Sequence, residues 1–104
     1  MKKVYNKLVR DKIPDIARKN NQTPKTRILS DEEYHESLVA KLKEEVAEFI
    51  ADNNGEELAD ILEILHALAR AIGTTPEDVE AIRKHKAEER GGFLKKIYLE
   101  SVEE

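Results

Sequence analysis

The stretch SDEEYHESLVAKLKEEVAEFIADNNGEELADILEILHALARAI, residues 30–72, decides the fold. Ser30 followed by Glu33 is a capping box, in which each side chain satisfies the other residue's free backbone N–H and so opens a helix. Tyr34, Leu38, Leu42, Val46, Phe49 and Ile50 then recur at helical spacing as one apolar stripe, which predicts a helix to about Asp52. Asn53-Asn54-Gly55 ends it, because such residues accept the left-handed conformation that closes a helix. The next helix, about Glu56 to Ile72, is apolar around much of its circumference, with alanines at 59, 67, 69 and 71. A helix of that kind is covered on two sides, which points to a homodimer or homotetramer.

Outward from this hairpin, Gly73 stops the second helix. Thr75 as cap, Pro76 at the first position and acids in the first turn start another, which Gly91-Gly92 ends. Leu8, Val9, Ile13, Ile16 and Ala17 predict a helix over residues 6–20, with Pro14 near its start or at a kink. Ile97, Tyr98, Leu99 and Val102 favour a short strand, and a two-stranded sheet from residues 26–29 and 93–100 is expected. With 104 residues, no internal repeat and no linker, the expected architecture is one domain, mainly all-α, an antiparallel helix bundle.

The absence of cysteine excludes disulfides, thiolate metal sites and a cysteine nucleophile, and fits a reducing cytoplasm. No segment approaches the roughly 20 apolar residues of a membrane span, and no signal-type apolar run follows the first lysines. The net charge of -4 conceals a segregation along the chain. Residues 1–27 carry nine basic and two acidic side chains, a local charge of +7, whereas residues 28–80 carry three basic and fifteen acidic, a local charge of -12. Such polarity suits a basic arm for nucleic acid, one folded site that needs both signs, or merely solvated faces.

Glu45 and Glu48 lie near the end of the first long helix, Glu57 and Asp60 at the start of the next, and each pair is three residues apart on one side of its helix. Antiparallel packing would let all four carboxylates converge. On a helical wheel Glu45 and Glu48 flank the apolar stripe and Glu57 falls within the arc of Leu58, Ile61, Leu65 and Leu68, a costly place for a free charge. A divalent cation is the economical compensation. Oxygen-only ligands point to Mg²⁺ or Mn²⁺, since His35, His66 and His85 lack the spacing of a zinc pair. Acids in a first turn also simply complement the helix dipole, as Lys86 and Arg90 do at the end of theirs. Alternatively, Lys86 and Arg90, four residues apart, face one anion. The basic start Lys7-Leu8-Val9-Arg10 could clamp phosphate, contact nucleic acid or only solvate a surface. No Walker-type loop, nucleophile elbow or dinucleotide fingerprint is present.

EEVAE at 44–48, EELAD at 56–60 and KAEERGGF at 86–93 together resemble the all-α nucleoside triphosphate pyrophosphatases of the MazG superfamily, over nearly the whole chain. YNKLVRDKIP at 5–14 is similar to the start of one subgroup, the small house-cleaning enzymes related to phosphoribosyl-ATP pyrophosphohydrolase. The resemblance implies that Glu45, Glu48, Glu57 and Asp60 are Mg²⁺ ligands, and that a nucleoside triphosphate, of a non-canonical kind, is split to monophosphate and pyrophosphate. A spare carboxylate would activate water, either Glu44 or a ligand glutamate such as Glu45. Lys86 and Arg90, with Arg10 and Lys7 as weaker candidates, would bind the phosphates. Two alternatives stay open: phosphoribosyl-ATP hydrolysis in histidine synthesis, and a non-enzymatic helical module whose basic arm binds nucleic acid. Against the second, the arm is short of aromatics and the rest of the chain is acidic.

Overall fold

Helix α2 (Asp31–Asp52) starts at the capping box that residues 30–33 encode. The Ser30 hydroxyl accepts from the Glu33 backbone N–H at 3.2 Å, and the Glu33 carboxylate accepts from the Ser30 N–H at the same distance. Arg27 also donates to Glu33 at 3.0 Å. This bond, reinforced by the Ser30 donors, pulls the Glu33 carboxyl down to about 2. At the other end Asn53 is left-handed, with φ 50° and ψ 48°, and its N–H reaches the Phe49 carbonyl. Asn54 then caps α3 (Gly55–Ala71) by accepting from the Glu57 N–H at 3.0 Å. Two residues thus end one helix and begin the next, which turns α3 back against α2.

The other helices follow their stop and start signals. Thr75 caps α4 (Pro76–Arg90) through the Asp78 N–H, and Gly91, at φ 82°, ends it. Helix α1 is confined to Ile13–Lys19, shorter than the expected 6–20. Pro14 explains the difference: its ring has no N–H and would clash with the Arg10 carbonyl in a continuous helix, so that carbonyl accepts from Ile13 instead, at 3.1 Å. The computed structural model, a single chain describing residues 1–104, is therefore all-helical.

The expected sheet between residues 26–29 and 93–100 does not form; no strand is present. Ile97, Tyr98 and Leu99 are consecutive, so a strand there would direct apolar groups to both faces and could bury neither against this small core. The segment instead makes one turn, closed by the Lys96 N–H on the Phe93 carbonyl.

The core lies between α2 and α3, where Leu38, Ile64 and Ala69 are buried. It is small. The opposite side of α3, with Leu58, Leu62 and Leu65, is open to solvent, as are Val79 and Ile82 of α4 and the tail, where Phe93 is 99% exposed. The chain extends over 65 × 31 × 23 Å with a radius of gyration of 18.6 Å, against about 13 Å for a compact chain of this length. Its surface is 9787 Å², whereas a compact monomer of this mass exposes about 6,000 Å². As a lone chain, then, the protein leaves apolar surface uncovered on α3, on α4 and in the tail.

Two outcomes follow for the start of α2. Ser30→Ala should cost about 1 kcal/mol in urea unfolding near neutral pH. The depressed Glu33 carboxyl contributes stability above its ordinary value of 4.5, and that contribution is lost as pH falls through about 2. Carboxyl NMR titration should find its midpoint well below the ordinary value of 4.5.

Candidate metal centre

The tight Asn53-Asn54 connection brings the last turns of α2 beside the first turn of α3, and with them the acids of both. Ligand atoms of Glu45, Glu57 and Asp60 lie within 4.8 Å of one another, and so do those of Glu44, Glu45 and Glu48. Glu45 belongs to both groups. The structure therefore brings Glu45 together with Glu57 and Asp60 across the hairpin, and with Glu44 and Glu48 along α2; the four acids expected to converge do not all lie within that distance of one another, Glu48 meeting the others through Glu45.

Their surroundings differ. Glu45 is buried, with 8% of its surface exposed, Glu57 and Asp60 are half-buried, and Glu44 and Glu48 are exposed. One oxygen each of Glu45 and Glu57, Oε2 in both, is shielded from water and accepts no hydrogen bond. Leaving a buried acceptor unpaired is costly, and leaving two within one acidic cluster more so. The nearest compensation for Glu45 is the Lys41 ammonium one turn earlier, 3.7 Å from its other oxygen. That is not enough: burial, then the adjacent Glu48 carboxyl, raises the Glu45 carboxyl above its ordinary value. Burial likewise raises Glu57, followed by the charges of Glu48, Asp52, Asp60 and Glu45.

A site of this make-up fits a hard divalent cation. The donors are all oxygens, several converge, and two carry unsatisfied lone pairs. A bound cation would satisfy those lone pairs and reverse the repulsion among the acids.

Of the four basic residues expected to meet phosphate, two reach the cluster. Lys7 Nζ lies 3.9 Å from Glu44 Oε1, and Arg10 Nη2 donates to Asp60 Oδ1 at 2.8 Å. Lys86 and Arg90 lie in the last turns of α4, exposed, and make no ion pair. Lys41 was missed by the sequence reading, although its position four residues before Glu45 places it on the same face. A cleft of about 130 Å³ between the N-terminal segment and α2 has Lys7, Leu8, Lys41 and Glu44 among its walls, so both ammonium groups border open space next to the acids.

The raised Glu45 value sets the sign of a stability test. Folding favours the protonated form, so the group's contribution is intact below its ordinary value of 4.5 and is lost as pH rises through the raised one. Glu45→Gln should therefore stabilise the metal-free protein by about 1 kcal/mol near neutral pH and change little at about pH 4. Urea midpoints at the two pH values, measured in EDTA, check this.

The chain is 57% identical over 44 residues to an "uncharacterized protein" of Mycolicibacterium smegmatis (strain ATCC 700084 / mc(2)155), a match covering 42% of this chain and 45% of that protein. No protein-family model and no solved structure matches the chain.

Proposed function

We propose that the protein is a Mg²⁺-dependent nucleoside triphosphate pyrophosphohydrolase of the MazG type, acting as a homodimer or homotetramer. The observation that carries this reading is the buried Glu45 carboxylate, with an oxygen that has no partner, facing Glu57 and Asp60 across the α2–α3 hairpin. The quoted resemblance of residues 44–48, 56–60 and 86–93 supports the reaction class.

Glu45, Glu48, Glu57 and Asp60 would hold the ion, which when bound neutralises phosphate oxygens and makes water more acidic. The chain's own groups do the rest. Glu44, exposed at the edge of the cluster, would take a proton from the attacking water, a role that Glu45 could fill only at the expense of a ligand position. Lys7 and Arg10 supply positive charge at the acids' rim, and Lys86 and Arg90, which do not reach the acids in the lone chain, would bind the departing pyrophosphate as the resemblance implies. The uncovered apolar side chains of α3 and α4, Leu58, Leu62, Leu65, Val79 and Ile82 among them, support self-association.

Incubation with a panel of canonical and modified nucleoside triphosphates, and phosphoribosyl-ATP, in Mg²⁺ should release pyrophosphate from at least one member. Glu57→Gln should lower kcat by about two orders of magnitude while helical content is kept, and Arg90→Ala should lower kcat/KM by about tenfold. Silence across the panel together with salt-sensitive binding of nucleic acid would replace this reading with that of a binding module. Light scattering should give a mass at least twice the chain's 11.9 kDa.

A further inference from the structure

The N-terminal segment is attached to the acid cluster almost entirely by charge. Residues 1–9 take part in no backbone hydrogen bond, and the first such bond of the chain engages the Arg10 carbonyl. Asn6 is left-handed at φ 45°, and only Leu8 among residues 1–10 is even half-buried. The side chains that do hold the segment are Lys7, on Glu44, and Arg10, on Asp60. Each of these acids belongs to a different one of the two three-carboxylate groups that share Glu45.

We propose that residues 6–12 form a counter-ion latch, in which the Arg10 guanidinium holds Asp60 until a divalent cation displaces it. This rests on the metal reading above. Arg10 and the ion compete for one carboxylate, and they repel each other. The Arg10 and Asp60 side chains are 57% and 42% exposed, and an ion pair of that exposure is weak. An ion that gathers three or more carboxylate oxygens, two of them otherwise unsatisfied, wins that competition. Release leaves Arg10 solvated and one side chain's length from the site, free for an incoming phosphate.

The opposite role would be that of a positioning partner, with Arg10 fixing Asp60 through Oδ1 while the other oxygen binds metal. Such partners strengthen metal binding by about 10- to 100-fold. That role needs a rigid support, and Arg10 has little: its carbonyl accepts from the Ile13 N–H, but the chain before it, residues 1–9, makes no backbone hydrogen bond.

The two roles predict opposite signs in a titration of the full-length protein with Mn²⁺, free ion being read by electron paramagnetic resonance. Arg10→Gln, which removes the charge, should bind Mn²⁺ about tenfold more tightly than wild type. Arg10→Lys, which keeps it, should stay within about threefold. Arg18→Gln, whose guanidinium pairs with Asp15 inside α1, serves as a control and should change nothing. Lys7→Gln gives a second removal of latch charge should Arg10→Gln fail to fold, and it should also tighten binding. Unchanged or weaker binding by the charge-removing variants overturns the latch while leaving the metal site standing. Absence of Mn²⁺ binding in wild type and variants alike overturns the metal reading and the latch together.

Discussion

The rest of the structure depends on one electrostatic constraint: a carboxylate, Glu45, is buried between two helices with other carboxylates around it. The hairpin forces this arrangement. Leu38, Ile64 and Ala69 can be buried only if α3 lies along α2, and the two-residue turn between the helices leaves no freedom to slide the acids apart. Apolar burial and charge repulsion thus act on the same pair of elements in opposite directions. A Glu-to-Gln change at position 45 would relieve the conflict by removing the charge, whereas a divalent cation in the proposed site would relieve it with the charge kept.

The size of the core sharpens this point. With three apolar residues buried, the lone chain has little stabilisation to set against a cluster of crowded acids. Both shortfalls have the same form: apolar faces without a cover and carboxylates without a counter-ion. A second copy of the chain and a divalent cation would remedy them respectively, and each remedy would make the other easier, since a covered α3 is a firmer support for Glu57 and Asp60. In the proposed enzyme, assembly and metal loading are therefore expected to reinforce one another.

Much of this was legible in the residues. The capping box at Ser30, the Asn53-Asn54 turn and the Thr75-Pro76 start are local devices whose hydrogen bonds involve neighbours three residues away, and all three are formed. The convergence of the acids was legible too, because a short turn between helices leaves one packing direction and an i, i+3 pair leaves one face. What failed was non-local. The tail's β-prone residues had no partner strand to define a ladder, and local preference cannot supply one. Helix α1 is shorter than the apolar spacing of Leu8 and Val9 predicts, because the steric veto of Pro14 overrides that spacing. The unequal burial of the acids, deep at Glu45 and slight at Glu48, depends on how the two helices rotate against each other, which no spacing records.

The charge segregation along the chain gains a structural meaning from the ion pairs. Those that cross from residues 1–27 to residues 28–80 are Lys7 with Glu44, Arg10 with Asp60 and Arg27 with Glu33. All three join a cation of the basic block to an acid of the hairpin, either at its carboxylate cluster or at the start of α2. The polarity thus works within the chain, laying a segment without secondary structure onto the hairpin. A basic arm reserved for nucleic acid would keep these cations free, whereas here two of them sit on the carboxylates proposed to act in catalysis. Because such exposed pairs are weak and screened by salt, the attachment is reversible, which suits a segment that must yield its place to an ion and then meet phosphate.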